Sequence, residues 1–525
     1  MSDAVHGGRV RGLWGGALAA VAILIVVRNL TGLDSAPLGA YTDETSIGYN
    51  AWAISSHAVD EHGAHLPLYF TAFGEYKNPI YIYTLSALLR VLPLTITTER
   101  LPAALFGLIT CACTALIAWR RSRSMPVTVL VLVIAGLVPW LTVESRVGFE
   151  VVSMVAAVSG ALLCLSIAQD GGRARWYVAA GILMAAAVFA YSTGRVEVAL
   201  FAIALAVAEG WRPHCSRDWV LTLAPIAAAY ALLAAWSIQH PGALTARFSA
   251  ISIAADGAPA LTVAGRFAGN YLTYLGPDFL FIAGDHNPRH NTQLGGMLLW
   301  VMLPLLAAGI VSAWRRRDEP FVRLLCLGAL LAPVSAALTE EGVPHSLRAA
   351  VMLPFLLLLC AEGAILLAAV AWRRFAYLGA VLAVAVQGST FTVDMLGAWP
   401  TRSALAFDVG EIDAMTRASA LAGGSQLLVS QTLDEPYVQA AFALRPAPPR
   451  SFVSDSASPL LAEMNIKLID ASSLPTRSGA IAVLAASDPP PAGGHRLFDE
   501  AVPAPSQGSG APPHPAVTVV VYRLP

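Results

Sequence analysis

Residues 99–119 read ERLPAALFGLITCACTALIAW, and the next four are RRSR. A mostly apolar run of about 20 residues is the length a helix needs to cross a bilayer. Basic residues such as those behind it are retained on the cytoplasmic side. Outward from this stretch the pattern recurs, predicting spanning helices at 13–33, 99–119, 126–143, 149–168, 176–192, 196–210, 219–238, 294–313, 321–338, 347–371 and 375–393. Composition agrees. Of 525 residues, 56% are hydrophobic and 13% charged, with a mean hydropathy of +0.62, whereas a soluble domain has roughly a quarter charged residues. The formal net charge of −1 excludes a polybasic nucleic-acid binder.

Arginines cluster at 9–11, 120–123, 173–175, 212–217, 315–323 and 373–374. With eleven spans and the N-terminus inside, every cluster falls in the cytoplasm. Arg9 and Arg11 before the first run resemble a signal peptide, but no small-x-small cleavage site follows, so an uncleaved first helix is expected. Residues 78–94, NPIYIYTLSALLRVLPL, would as a twelfth span put four later clusters outside. A helix lying in the outer interface fits them better.

This topology predicts a long first outer loop at 34–98, short ones near 144–148, 193–195 and 339–346, a long one at 239–293, and an outer tail from about 394. The tail predicts helices at 408–422 and 435–444 and strands at 426–431, 480–486 and 517–524, with 487–515 looping out. The expected organisation is a membrane domain over 1–395 and a small α/β domain over 396–525. The six cysteines, Cys111, Cys113, Cys164, Cys215, Cys326 and Cys360, read as small apolar residues rather than a disulfide or metal framework.

Charges are scarce, so their placement is informative. The first loop holds Asp34, Asp43, Glu44, Asp60, Glu61, Glu75 and Lys77, with His57, His62 and His65. Other outer loops add Glu144, Arg146, Glu150, Arg195, Glu197, Asp285, Arg289, His290, Glu340, Glu341, His345 and Arg348. Ionisable groups near helix ends commonly mark a site or pathway, and one outward-facing polar cavity accounts for the set economically. Asp43 and Glu44 begin an amphipathic stretch, TDETSIGYNAWAISSHAV, in which Thr42 or Asp43 can cap a helix. A carboxylate there could equally serve as general base toward an acceptor hydroxyl. Lys77, Arg146, Arg195, Arg289, His290, His345 and Arg348 could hold a phosphate by charge-assisted contacts, or merely partner the acids. There is no Walker A loop, and GDHNPRHN (284–291) lacks a recognisable zinc spacing.

Several segments together resemble a known family. They are DETSIGYNAWAISSHAVDEHGAHLPLYFTAFGEYKNPIYIYTLSALLRVL (43–92), ERLPAALFG (99–107), PWLTVESRVGFE (139–150), YSTGR (191–195), GDHNPRHN (284–291) and VPHSLRAA (343–350). The chain is similar to bacterial polyprenyl-phosphate-sugar-dependent glycosyltransferases of the GT-C fold. That group includes the protein O-mannosyltransferases (glycosyltransferase family 39) and the aminoarabinose transferases of lipid A. The acidic pair, the K-x-P-x-Y segment and R-L-P are fairly specific in combination, and the resemblance covers about 1–395.

The resemblance implies a multi-span α-helical GT-C membrane protein with interfacial helices at 43–58 and 78–94. It gives Asp43 the role of activating the acceptor, with Glu44 beside it. It gives Lys77, with Arg146, Arg289, His290, His345 and Arg348, the lipid phosphate. Glu75, Tyr81, Glu150, Arg195 and Asp285 are further cavity candidates. The chain departs from the eukaryotic O-mannosyltransferases in having no MIR-type insertion, which leaves a lipid, a cell-envelope glycan or a protein as acceptor. The partners implied are the bilayer, a polyprenyl-phosphate sugar (mannose, another hexose or a pentose) and that acceptor. No cofactor is required, though a divalent metal is compatible. A lipid or glycolipid transporter is the alternative. It would place charges at the bilayer midplane and show internal repeats.

Overall fold

Backbone in hydrocarbon must satisfy its own N–H and C=O groups, which turns apolar runs into helices. The computed structural model describes residues 2–171, 173–210, 217–368, 373–474, 479–502 and 516–525. Each of the eleven predicted spans holds a helix. Five described helices are long and apolar enough to cross a membrane: Ile96–Ser122, Val151–Gly171, Arg217–Gln239, Pro320–Ala337 and Phe375–Gly397. The other six positions hold shorter helices: Trp14–Leu30, Met125–Leu137, Ala174–Val188, Gly194–Gly210, Met302–Arg315 and Met352–Leu367. Pro79–Leu88, read as interfacial, has ten residues. That is about 15 Å of helix, half the hydrocarbon thickness. The chain is a multi-span helical membrane protein. Cys215, Arg212 and residues 503–515 of the expected tail loop lie outside the described residues.

Departures from the expected boundaries have local causes. The span at 126–143 breaks at Val138, extended before Pro139, which starts a second helix, Pro139–Glu144. Residues 294–301 are not helical: Met297 N–H donates to Phe279 O at 3.2 Å and Leu298 N–H to Leu280 O at 2.7 Å. Those donors are lost to a helix, which starts instead at Met302. The interfacial helix ends at Leu88, short of Pro93. The loop at 239–293 contains two α-helices that pattern reading missed, Ala246–Ile251 and Ala260–Leu275, and a π-helical turn at Asp278–Ile282.

The chain packs as two compact units, one of Met1–Thr31 with Ala103–Thr392, the other of Gly32–Pro102 with Val393–Pro525. Within the first, the Met302–Arg315 and Met352–Leu367 helices cross at two glycines. A Cβ on Gly363 would lie 2.0 Å from Leu305 O, and one on Gly309 2.0 Å from Leu359 O. Small residues admit such close approach in membranes. Gly363→Ala is therefore expected to force the helices apart, at a cost of about 1–3 kcal/mol, read as a lower Tm in detergent.

The second unit contains two sheets. A hairpin of β1 (Phe70–Ala72) and β2 (Glu75–Lys77) pairs Phe70 with Lys77. Its two-residue loop, Phe73-Gly74, has φ of +54° and +73°, as a type I′ turn requires. The tail folds around β3 (Leu427–Ser430), β4 (Ile466–Ile469), β5 (Ile481–Ala485), β6 (His495–Ala501) and β7 (Val517–Arg523), ordered β4-β3-β5-β7-β6. β3 runs parallel to β4 and β5, while β7 is antiparallel to β5 and β6. Val429, Val483, Val519 and Val521 face one core with Met415 and Ala418 of the Glu411–Ala422 helix, and Leu428, Ala482 and Leu484 face another. The small C-terminal α/β element is thus present. β6 corrects the expected 487–515 loop. Its HRLFDEA sequence is charged and mostly exposed because it is an edge strand paired on one side.

Glu411, at the start of its helix, is buried, and its carboxyl is pushed up to about 9 by that burial and by the charges of Asp408 and Asp434. The folded chain keeps this proton over a pH range in which the unfolded chain has lost it. Stability therefore falls as pH rises from the ordinary carboxylate range toward about 9. Glu411→Gln is expected to remove about 1–2 kcal/mol of that loss between about pH 7 and 9, seen as a flatter Tm profile.

Candidate active site

The first-loop acids sit in the opening turn of the Thr42–His57 helix, where the helix dipole favours negative charge. Tyr41, rather than Thr42 or Asp43, occupies the cap position, and its N–H donates to Glu44 Oε2 at 3.3 Å. Adjacent helical residues point in different directions, and the two carboxylates have different partners. Asp43, with its side chain 48% exposed, forms an ion pair with Lys77, 12% exposed. Lys77 ends β2, and its ammonium lies 5.2 Å from the Phe73 ring centroid. The tight hairpin turn thus brings both groups to one place.

Glu44 is completely buried against Arg100. Arg100 Nε donates to Glu44 Oε1 at 2.7 Å and Nη2 to Oε2 at 2.9 Å. Its remaining donors reach Leu33 O at 2.7 Å, Pro37 O at 2.8 Å and Gly39 O at 2.6 Å. All five guanidinium N–H groups are occupied. Arg100 ties the chain leading into the Asp43 helix to that helix's first turn. Sequence reading assigned it no role, although a charge at the mouth of an apolar run was the available signal.

The tail buttresses the same helix. Thr42 Oγ1 donates to Asp434 Oδ2 at 2.8 Å, and Tyr49 O–H to Pro446 O at 2.9 Å. A Cβ on Gly48 would come within 2.5 Å of the Phe442 ring. Fully buried Glu61 adjoins this region, its carboxyl raised to about 8 by burial and by Asp60, against the lowering pull of Lys77. Glu75 is exposed on β2, while Tyr81 is buried and donates to Glu99 O at 2.8 Å.

The other compact unit holds the remaining candidates. Asp285, His290 and His345 converge: His290 Nδ1 and Asp285 Oδ2 are 2.8 Å apart, and the two imidazole centroids are 4.7 Å apart. Asp285 also accepts Ser346 N–H at 2.7 Å and Asn287 N–H at 2.8 Å. Hydrogen bonds and the His290 charge hold its carboxyl below the usual range despite burial. His345 is pushed down to about 3 by burial, then by His290 and Arg348.

Arg348 Nη2 meets Glu341 Oε2 at 2.8 Å, and Nη1 reaches Glu341 O at 2.6 Å. Arg146 is buried and donates to Arg28 O and Thr31 O, both at 2.9 Å, at the end of the first helix. Arg195 Nη1 is 3.4 Å from Leu244 O, Glu150 O accepts Ser153 Oγ at 2.6 Å, and Arg289 N–H donates to Asn287 Oδ1 at 3.0 Å. The structure therefore brings together Asp43 with Lys77 and Asp285 with His290 and His345. It turns Glu44, Arg146 and Arg348 to partners of their own.

No protein-family model matches the chain, and no curated protein matches its sequence. Its structure is similar to that of ArnT from Cupriavidus metallidurans bound to undecaprenyl phosphate, with 15% identity, a TM-score of 0.56, and coverage of 97% of this chain and 98% of that one. ArnT in the apo state gives a TM-score of 0.56 at 15% identity over 98% of both chains. An Archaeoglobus fulgidus oligosaccharyltransferase in complex with Zn and sulfate gives 0.48 at 12% identity, over 89% of this chain and 68% of that one. The likeness to ArnT establishes the shared GT-C fold.

Proposed function

We propose that the protein is a membrane glycosyltransferase that moves a sugar from a polyprenyl phosphate to an acceptor hydroxyl with inversion. The observation that carries this reading is the Asp43–Lys77 pair, a carboxylate and an ammonium held together at a half-exposed helix start. In this scheme the Lys77 ammonium passes from Asp43 to the donor phosphate in a charge-assisted contact. The freed carboxylate takes the acceptor proton as the hydroxyl oxygen attacks the anomeric carbon. The bond from that carbon to the phosphate oxygen breaks, and its electron pair leaves with polyprenyl phosphate, whose developing charge Lys77 stabilises.

The donor class is supported by the fold shared with ArnT, a protein whose structure is bound to undecaprenyl phosphate. The sugar is a hexose such as mannose, or a pentose, and the acceptor a lipid, a cell-envelope glycan or a protein. The scheme needs no nucleotide or redox cofactor. The protein then sits in a bacterial inner membrane with its N-terminus cytoplasmic and the Asp43 helix and tail outside, a reading supported by the arginine clusters. The test uses purified protein in nanodiscs, a panel of polyprenyl-phosphate sugars and an envelope extract. Release of free polyprenyl phosphate from at least one donor is expected. A folded protein that binds donors but releases none would overturn the reading in favour of transport.

A further inference from the structure

We propose that Arg28, at the end of the first spanning helix, holds the headgroup phosphate of an anionic membrane phospholipid. Arg28 stands in the last turn of the helix that ends at Leu30. Leu24, four positions before it, is exposed, whereas Ile25, three positions before it, is buried. Residues three and four apart share a helix side, so Arg28 lies on the seam between the lipid-facing surface and the packed one. The residue as a whole is partly exposed, and a headgroup can approach it from the lipid side.

The guanidinium has no acidic partner. Its Nη2 donates to Asn29 Oδ1 and to Thr142 Oγ1, both at 3.2 Å and both uncharged. Nε and Nη1 are buried with no hydrogen-bond partner, which leaves three of the five guanidinium N–H groups unused. The ionisable side chain that faces it is the thiol of buried Cys111, on the Ile96–Ser122 helix. Arg100 is the contrast, with all its donors spent on Glu44 and three backbone carbonyls.

A buried charge without a counter-ion is costly, and buried donors are normally satisfied. Two ordinary remedies are closed to Arg28. Snorkelling would carry Nε and Nη1 to water, yet both are buried. The carbonyls of a helix end carry partial negative charge that favours a cation, but here other donors hold them. Arg146 reaches Arg28 O and Thr31 O, both at 2.9 Å, and Thr31 Oγ1 reaches Val27 O at 2.8 Å. An anion would supply the missing partner.

Placement selects the anion. At the end of a spanning helix the anions at hand are lipid headgroups, and basic pockets between spans bind them. A guanidinium suits phosphate oxygens through charge-assisted hydrogen bonds. Ile23, Leu24, Val26 and Val27 are exposed on the same helix, as are Leu105 and Ile109 on the helix that carries Cys111. Acyl chains attached to the phosphate would lie along these apolar surfaces. The inference requires the chain to be embedded in a bilayer and does not depend on the transferase reading.

The test uses the full chain in detergent, delipidated and then titrated with phosphatidylglycerol. Native mass spectrometry reads lipid retention, and thermal unfolding reads stability. Wild type is expected to retain the lipid and to gain Tm. Arg28→Met should bind about tenfold more weakly or worse, through loss of the charge-assisted contact. Without lipid this variant should melt at or above the wild-type Tm, because an unpaired buried charge is gone. With lipid the order should reverse. Should Arg28→Met fail to fold, the wild-type titration decides, since absence of retention and of any Tm shift overturns the site. Undiminished binding by folded Arg28→Met overturns it as well. An equal response to phosphatidylcholine overturns the requirement for an anionic lipid. Stronger, Arg28-dependent binding of polyprenyl phosphate overturns the phospholipid as the source of the phosphate.

Discussion

Asp43→Asn is expected to lower polyprenyl-phosphate release by about 10²–10⁴-fold, the contribution of a positioned general base, while leaving the fold intact. The side chain is half exposed, so its ion pair with the largely buried Lys77 opens to solvent on the Asp43 side. Such pairs contribute only about 0–1 kcal/mol. Asparagine keeps the shape and can still accept from Lys77, but it cannot take the acceptor proton. Parallel assays of release, donor binding and Tm separate these effects. Turnover by the Asp43→Asn variant at the wild-type rate removes Asp43 from the mechanism. Loss of activity together with Tm would mean that Asp43 is structural.

The buried partner of its sequence neighbour Glu44 should behave in the opposite way. Arg100→Ala is expected to destabilise the protein by about 3–5 kcal/mol, because Glu44 would be left buried without its counter-ion. Three backbone carbonyls, of Leu33, Pro37 and Gly39, would lose their donor as well. Arg100→Lys should recover little, since a lysine offers three donors at a point where five are used in a planar fork. Thermal unfolding and the yield of monodisperse protein in detergent are the readouts. A wild-type Tm for Arg100→Ala would contradict the buried-pair reading outright.

The Asp43/Glu44 contrast marks how far pattern reading reaches. From spacing alone the two acids are an indistinguishable pair near a membrane surface. Their division into an accessible carboxylate and a buried counter-ion depends on Arg100, 56 positions beyond Glu44. The support given by the tail was likewise illegible. Thr42 and Asp434 are 392 positions apart, and no local pattern pairs them. In the tail, β3, β5, β7 and the Glu411–Ala422 and Pro436–Leu444 helices could be read from alternation and amphipathicity, whereas β4 and the Ala457–Glu463 helix were missed. Charged β6 could not be read, because an edge strand has one side to satisfy and its side chains face water.

Sequence by itself determined that the chain crosses a membrane many times, roughly where its spanning helices lie, and which ionisable residues are candidates for function. Bilayer thickness and the need to satisfy backbone groups in hydrocarbon act on contiguous runs, so a linear reading captures them. Tertiary structure alone decided which of those residues meet: Asp43 with Lys77, Glu44 with Arg100, Arg348 with Glu341, and Asp285 with both histidines. A polar side chain's partner is chosen by packing among residues distant in sequence, and that choice distinguishes an available charge from one already satisfied.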